Sequence, residues 1–393
     1  MRSKANGQEF HQGRVLTITL GHLANDMYPS FLPALLPLFI ANLGLSKTEA
    51  GLLSLIRQAP SLAQPAMGHM ADRFSLRSVL VLTPAVTAVM FSLLGVAPSY
   101  AALAVLLILG GTSTVAFHAI APALAGELAG AKNMGRGMGL WILGGELGFT
   151  LGPLLLVSVV DRFGPRATPW LMVFGMLGSA GLFLRLRDIP QRTVESAHGL
   201  PWRQALSELH RVLLPLLGVA ATRAFAQSAL GSYLPTFLSE RGASLWLAGA
   251  SLTVYQAAGS AGVLVGGYLS DRLGRWAIML GSTSLTPVLL WVFLRLDGAG
   301  QFLILLALGF VAVAFDPVAM ALVQDSGAQN PALSTSLYLA LMFLMRSLAT
   351  VAVGALADRV GLHRAFSASA AIFLLGTPLL FLLPVRRSAA STQ

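Results

Sequence analysis

The sequence contains no cysteine, which excludes disulfide bonds, thiolate metal sites and cysteine nucleophiles. Charged residues are also scarce: they make up 11% of the 393 residues, whereas about a quarter of an ordinary soluble domain is charged. Hydrophobic residues reach 55%. A chain with this balance cannot cover its outer surface with groups that water solvates, so the composition predicts a membrane protein.

A dense run of basic residues is missing too, although the formal net charge is +10. Lys and Arg lie instead at the ends of apolar segments, where membrane proteins carry them. We therefore expect a lipid bilayer around the chain and no nucleic-acid partner. The first apolar segment continues well beyond the roughly 7–15 residues of a signal-peptide core, with no cleavage site, so it is predicted to be a spanning helix.

Apolar segments of about 20 residues are long enough to cross a bilayer as helices, and twelve can be distinguished. The sequence therefore predicts an all-α membrane protein with twelve transmembrane helices. The predicted spans are residues 14–41, 50–70, 77–97, 99–125, 137–160, 167–187, 211–238, 246–269, 275–296, 301–324, 332–357 and 364–384.

The distribution of Lys and Arg predicts the orientation of these spans. An even number of spans places both termini on one side, and that side carries sixteen of the 26 basic residues. The opposite side carries seven, and three lie within spans. Because basic residues favour the cytoplasmic side, both termini are predicted to be cytoplasmic, in the cytoplasmic (inner) membrane of a bacterium.

Four Asp-Arg pairs reveal an internal repeat. The first and third pairs are 199 residues apart and the second and fourth are 197 apart. Each half of the chain therefore has an Asp-Arg pair after its second span and another after its fifth. Nested repeats of three helices are typical of secondary transporters. The predicted domains are a six-helix bundle over residues 1–187, a cytoplasmic linker over 188–210 and a second six-helix bundle over 211–393. The pairs are Asp72-Arg73, Asp161-Arg162, Asp271-Arg272 and Asp358-Arg359.

The segments around two of these pairs, GHMADRFSLR at 68–77 and GYLSDRLGR at 267–275, resemble the loop signature of the major facilitator superfamily. The segment GFTLGP at 148–153 resembles its glycine-proline motif. The likeness implies the two-bundle major facilitator fold. The Asp of such a loop can sit at a helix terminus while the Arg bridges to a neighbouring helix, which predicts a conformational latch; a simple charged stop signal is the alternative. The latch residues would be Gly68, Asp72, Arg73, Arg77, Asp271, Arg272 and Arg275.

A closer resemblance, to the fosmidomycin-resistance family of proton-driven drug exporters, is carried by the first half of the chain. HLAND at 22–26, LLPL at 35–38, Gln64-Pro65, Phe117-His118 and Gly144-Gly145 match that family. The chain departs from it in Ala119-Ile120, where the family has Pro-Glu, and in Arg57 and Glu146, where uncharged polar residues are expected. These departures lie where a substrate would bind.

Six ionisable groups fall inside the predicted spans, three acidic and three basic, and two histidines accompany them. A charge inside a membrane is costly, so such groups usually face a cavity or a partner. We expect proton coupling from Asp26, His118 and Asp316. We expect substrate binding from His22, Arg57, Glu146, Arg223 and Arg346, although Glu146 and Arg346 could also form a structural pair.

The favoured function is a proton-coupled exporter of drugs or organic anions that works by alternating access, as a monomer, with protons and a small molecule as its partners. Proton-coupled uptake of an organic anion or metabolite is the alternative, and a channel is a weaker one. An intramembrane enzyme is not expected, because neither a His-Glu-x-x-His nor a Gly-x-Ser-x-Gly motif occurs. No cofactor or metal is expected.

Overall fold

The computed structural model describes residues 11–63, 67, 77–130, 133–188, 202–326 and 331–383, and these residues form helices without any β-strand. The predicted all-α fold class is therefore confirmed. In chain order the helices are α1 (Gln12–Asp26), α2 (Phe31–Leu43), α3 (Lys47–Gln58), α4 (Arg77–Ser92), α5 (Tyr100–Ala129), α6 (Met134–Phe163), α7 (Met172–Leu186), α8 (Trp202–Ser228), α9 (Leu234–Glu240), α10 (Leu245–Leu273), α11 (Arg275–Arg295), α12 (Gly298–Val313), α13 (Phe315–Ser326), α14 (Pro331–Val360), α15 (Leu362–Leu374) and α16 (Gly376–Leu379).

Several predicted spans consist of two helical pieces. Residues 27–30 interrupt the first span between α1 and α2, because Pro29 has no N–H to donate and disfavours helical geometry in the residue before it. The seventh span passes from α8 through a π-helical turn, Ala229–Tyr233, into α9. The tenth is broken at Ala314, between α12 and α13. Hydropathy alone does not detect these breaks, since the broken segments remain apolar.

Within the described residues, nine helical stretches are long and apolar enough to cross a membrane. They cover nine of the twelve predicted spans. The first span is divided into two shorter helices, the second extends beyond the described residues, and α10, although 29 residues long, carries polar residues such as Gln256. The architecture agrees with a polytopic membrane protein.

The chain divides into two compact units. The first comprises Met1–Leu32 and Ala59–Ser196, and the second comprises Pro33–Gln58 and Ala197–Gln393. Helix α3 and most of α2 therefore pack with the C-terminal helices. The domain boundaries predicted from the repeat stay a prediction, and most of the predicted linker lies outside the described residues.

In the first unit, α1 and α6 approach closely along a row of glycines. Gly144, Gly148 and Gly152 recur every four residues, so they share one face of α6, and that face lies on the α1 backbone. A Cβ atom at Gly148 would stand 2.6 Å from the carbonyl oxygen of Leu23. Small residues at such positions let membrane helices gain van der Waals contact.

In the second unit, helices also cross at glycines. Gly262 of α10 lies against the backbone of Phe310 in α12, and Gly51 of α3 lies against the backbone of Val351 in α14. Apolar side chains from α8, α11, α13 and α14 fill the space between those helices. The core thus fixes the helices that carry the buried polar groups described below.

We predict that Gly148→Ala destabilises the protein by about 1–3 kcal/mol, because the added methyl group has no space against α1. The measurement is thermal unfolding of the purified protein in detergent. Gly139→Ala is the matched control, because it lies on the same helix and a Cβ there meets no atom within 4 Å. Equal unfolding temperatures for the two variants would contradict the close α1–α6 contact.

Candidate functional site

Three titratable side chains of the first unit converge at one point. His22 and Asp26 lie one turn apart on α1 and are 3% and 2% exposed, and His118 reaches them from α5. Asp26 Oδ2 lies 3.0 Å from His22 Nε2 and 3.2 Å from His118 Nε2. The two Nε2 atoms are 3.2 Å apart. Each of the three atoms is therefore within hydrogen-bond distance of the other two.

The opposite nitrogen of each ring faces a backbone carbonyl. His22 Nδ1 lies 2.7 Å from the carbonyl oxygen of Trp141, and His118 Nδ1 lies 2.9 Å from that of Thr114. A carbonyl oxygen only accepts, so each Nδ1 carries the hydrogen and donates it. A neutral imidazole has a single N–H, so a neutral ring in this position presents a bare lone pair from Nε2 towards Asp26.

The surrounding side chains hold this cluster in place. The Trp141 ring stacks on His22 with centroids 4.2 Å apart. On the other carboxylate oxygen, Asn25 Nδ2 donates to Asp26 Oδ1 at 2.8 Å. The Thr87 hydroxyl lies 3.0 Å from Asn25 Oδ1 and 2.9 Å from the Ser113 hydroxyl. A polar network thus runs from the carboxylate into α4 and α5.

Gly145 completes the wall of the cluster. A Cβ atom at this position would lie 2.7 Å from His22 Nε2 and 3.1 Å from Asp26 Oδ2. Only glycine leaves room for the ring and the carboxylate to meet. This packing gives a physical reason for the Gly144-Gly145 step noted in the sequence.

Metal binding also has to be considered for these atoms. Among the residues that the structure describes, His22, Asp26 and His118 form the group of three whose donor atoms could surround a metal ion, all within 4.8 Å of one another. The sequence predicts no bound metal. The question is therefore which cation, a proton or a metal ion, this cluster takes.

A second charged group lies in the second unit, around Arg223 of α8. Its guanidinium is 2% exposed and sits over the ring of Phe315, 3.8 Å from the centroid, with Phe373 at 4.9 Å. Arg223 Nη2 donates to the Ala312 carbonyl at 2.6 Å and lies 3.9 Å from Asp316 Oδ1. Aromatic rings and one carboxylate thus offset the cost of the buried charge.

A small cavity opens beside this arginine, with a volume of about 140 Å³. Arg223, Asp316 and Arg346 line it, together with Gln227 and Tyr338. Gln227 lines the cavity between the two charges of opposite sign, and its Oε1 accepts from Arg346 Nη2 at 3.2 Å. The Asp316 side chain is 44% exposed, so this carboxylate can be reached from the cavity.

The remaining predicted substrate residues have different surroundings. Arg57, on α3 in the second unit, lies close enough to Arg346 for their charges to repel, and its buried Nε has no hydrogen-bond partner. Glu146, on α6 in the first unit, is half-buried and has a partner. The structure therefore brings His22, Asp26 and His118 together in one unit, and Arg57, Arg223, Asp316 and Arg346 in the other.

The predicted latch residues are only partly described. Gly68, Asp72 and Arg73 lie outside the described residues, and Arg77 begins α4. Arg275 begins α11 and forms a 2.7 Å ion pair with Asp325 of α13. Asp271 and Arg272 are exposed at the end of α10, where Arg272 lies over the ring of Tyr268. The latch function stays a prediction.

Three contributors to these clusters were not among the predicted site residues. A tryptophan in a span usually packs against its neighbours or anchors at the interface, but the Trp141 ring stacks on His22 and its carbonyl orients that histidine. Asn25 was noted only as part of a motif, although its position beside Asp26 was a usable signal. Gln227 gave no signal, because a glutamine in a span has many possible roles.

The comparisons with known proteins agree with this architecture. The family model for the Major Facilitator Superfamily matches residues 18–349. The chain belongs to the Major Facilitator Superfamily, and it is a multi-pass membrane transporter rather than an enzyme.

Two curated relatives span nearly the whole chain. The Fosmidomycin resistance protein of Escherichia coli (strain K12) is 26% identical over 380 residues, covering 93% of this chain and 91% of the relative. The Uncharacterized MFS-type transporter YfnC of Bacillus subtilis (strain 168) is 25% identical over 386 residues, covering 94% and 92%.

Solved structures of transporters share the fold. A bacterial homologue of the human lysosomal transporter Spinster, inward-facing and occupied, superposes with a TM-score of 0.80 at 16% identity, over 95% of this chain and 96% of that one. A D-xylose-proton symporter gives 0.73 at 15% identity, over 96% and 99%. At these identities the likeness concerns the fold alone.

The polar network under Asp26 yields a prediction for stability. Thr87→Val removes the hydroxyl that faces Asn25 and leaves a buried amide oxygen without a donor, so we expect a loss of about 1–3 kcal/mol. Thr112→Val is the matched control, because the Thr112 hydroxyl is exposed and donates to Ile108 of its own helix. Thermal unfolding measures both variants, and a smaller effect for Thr87→Val than for Thr112→Val would contradict the network.

Proposed function

We propose that this transporter is a proton-coupled exporter of organic anions in the cytoplasmic membrane, with both termini in the cytoplasm. The observation that carries the proposal is the arrangement of His22, Asp26 and His118. With both Nδ1 hydrogens donated to carbonyls, neutral rings and an ionised Asp26 would place three acceptor atoms within 3.2 Å of one another. Such a contact is repulsive, so the arrangement requires a cation between them.

One proton relieves most of this repulsion, because a hydrogen on one Nε2 lies between that nitrogen and the other two atoms. Placed on either Nε2, it donates to Asp26 and makes a charge-assisted hydrogen bond, and the histidine and the carboxylate then cancel in charge. The distances of 3.0–3.2 Å are those of hydrogen bonds. When the proton leaves, the three acceptors repel and the cluster has to open. Proton binding is thereby tied to the contact between α1 and α5, which is the kind of link that coupling needs.

His118 is the member through which a proton would arrive or leave. Its side chain is 27% exposed, whereas those of His22 and Asp26 are 4% and 2% exposed.

The second acidic candidate, Asp316, lies next to Arg223 and faces the cavity. It is the site at which a bound anion and a carboxylate would compete for the same guanidinium.

The charges of the second unit support an anionic substrate. Arg57, Arg223 and Arg346 supply three positive charges against the one carboxylate of Asp316, so these four groups together carry a net charge of +2. Arg346 is exposed and Arg57 has an unused buried N–H. An organic anion would complete these hydrogen bonds and balance the charge.

Export is favoured over uptake by the relative whose name is Fosmidomycin resistance protein. Fosmidomycin is therefore the first compound to test, within a panel of drugs and organic acids. Uptake of an organic anion remains the alternative, and the direction of net flux under an imposed pH gradient in proteoliposomes decides between them.

We predict that Asp26→Asn abolishes transport driven by a pH gradient but retains substrate binding. The amide is neutral at every pH, so it no longer supplies the negative charge that holds a proton on either buried histidine. Asp26→Glu keeps an exchangeable proton in a displaced position and should retain part of the coupling with a shifted pH dependence. The measurement is flux in proteoliposomes beside substrate binding to the same purified variants.

Two outcomes would overturn this role for the cluster. Undiminished pH-driven transport by Asp26→Asn would move the coupling to Asp316. Loss of transport by the unaltered protein on addition of a metal chelator, with recovery on addition of Zn²⁺, would mean that the cluster holds a metal ion instead of a proton.

We predict that Arg346→Gln weakens the apparent affinity for an anionic substrate by about tenfold, the effect expected for losing one hydrogen bond to a charged group. Stability should not change, because the side chain is exposed. Arg295→Gln, an exposed arginine at the end of α11, is the control. An unchanged KM for the anion in Arg346→Gln would exclude this arginine from the binding site.

A further inference from the structure

Helix α3 begins with its backbone donors fully occupied. The first N–H groups of a helix have no partner within the helix. Ser46 and Glu49 satisfy part of this requirement with a capping box: the Ser46 hydroxyl accepts from the Glu49 N–H at 3.1 Å, and Glu49 Oε2 accepts from the Ser46 N–H at 2.8 Å. Two donors, the N–H groups of Lys47 and Thr48, are left for another partner.

That partner is Asp358, which lies 310 residues further along the chain at the end of α14. Asp358 Oδ1 accepts from the Lys47 N–H at 2.8 Å, and Oδ2 accepts from the Thr48 N–H at 2.9 Å and from the Thr48 hydroxyl at 2.6 Å. The negative carboxylate also faces the positive end of the α3 dipole. One side chain therefore makes three hydrogen bonds to another helix.

Neighbouring contacts strengthen the same junction. Lys47 Nζ forms a 2.9 Å ion pair with Glu240 at the end of α9. The Tyr233 hydroxyl lies 2.8 Å from the Lys47 carbonyl and 3.0 Å from the Thr350 carbonyl. Gly51 of α3 and Gly354 of α14 leave the space that this hydroxyl occupies.

We propose that Asp358 and the N-terminus of α3 form a clamp that holds the extracytoplasmic ends of these helices together and opens once in each transport cycle. The internal repeat assigns α3 to the first half of the sequence and α14 to the second. The distribution of Lys and Arg predicts that the turns before α3 and after α14 lie outside the cytoplasm. Alternating access requires the two repeats to part on each side in turn, and here they can part only if these hydrogen bonds break.

The clamp assigns a role to the fourth Asp-Arg pair, which the loop signature does not cover. It lies at the end of α3 opposite to the predicted latch around Asp72. When the transporter is closed on its extracytoplasmic side, the clamp would thus hold the N-terminus of α3. The C-terminal end of α3 would then be free to move as the cytoplasmic side opens. The proposal depends on the transporter class and not on proton coupling or on the substrate.

The absence of native cysteine permits a direct test. Ser54→Cys places a thiol of nearly the same size on α3, three residues after Gly51 and on the same face, where the serine is buried. An impermeant maleimide, added from outside to intact cells, should label this cysteine slowly. Adding Asp358→Asn should raise the labelling rate by about tenfold, because the amide cannot accept all three hydrogen bonds or complement the helix dipole.

Asp297→Asn in the same Ser54→Cys background is the matched control. Asp297 is an exposed aspartate on the same predicted side, paired with Arg241 at 2.7 Å, but it does not touch α3. Its labelling rate should equal that of the parent. Equal rates for Asp358→Asn and the parent, with both proteins folded by size-exclusion chromatography, would overturn the clamp.

A disulfide provides a second test, which does not depend on the stability of Asp358→Asn. The side chains of Thr48 and Asp358 meet, so Thr48→Cys with Asp358→Cys should form a cross-link between α3 and α14 under oxidation. The cross-link should stop transport and a reductant should restore it. Transport at an unchanged rate with the disulfide formed would show that these helix ends do not separate, and the proposal would be wrong. This result would leave proton coupling open, since it concerns only the movement of α3.

Discussion

The apolar interior of this protein imposes one constraint on the charged side chains within it: each needs a compensating partner, and lipid supplies none. A lone charge in a membrane-spanning helix costs about 2.5–3.5 kcal/mol even on the scales that give the lowest values. Asp26 meets this requirement with two histidines, and Arg223 meets it with two aromatic rings, a carbonyl and Asp316. Gly145 and the network through Asn25 and Thr87 contribute to the surroundings of Asp26.

The two units meet the constraint with different chemistry. The cluster around Asp26 holds a carboxylate in direct contact with two imidazoles, and it leaves no room even for a Cβ atom at Gly145. Guanidinium groups, which stay protonated, surround the cavity near Asp316 in the other unit. The imidazole–carboxylate cluster and the guanidinium groups therefore lie on different helices, in different units.

The sequence was sufficient for the features that depend on local composition. Runs of apolar residues located the nine spans that the described long helices cover, and the spacing of the Asp-Arg pairs predicted the repeat. Both signals can be read from the sequence without knowing which helices touch. Asp26 and His118 could be selected one by one, since a charge in a span is conspicuous. Their meeting could not be predicted, because 92 residues separate them and the contact depends on how α1 packs against α5.

Other contacts were hidden for a related reason. The backbone carbonyl of Trp141 orients the His22 ring. Because every residue has a backbone carbonyl, the sequence does not indicate which one makes this contact. The contact of Asp358 with α3 joins residues about 310 positions apart, so it depends wholly on tertiary packing.

The π-helical turn at Ala229–Tyr233 has a consequence for the register of its helix. A π turn contains one residue more than the corresponding α turn, and each residue rotates a helix by about 100°. Everything after the turn is therefore rotated relative to α8. Deletion of a single residue here would restore a regular helix but would point the Tyr233 hydroxyl away from Lys47 and Thr350. The length of this segment, as much as its composition, is under constraint.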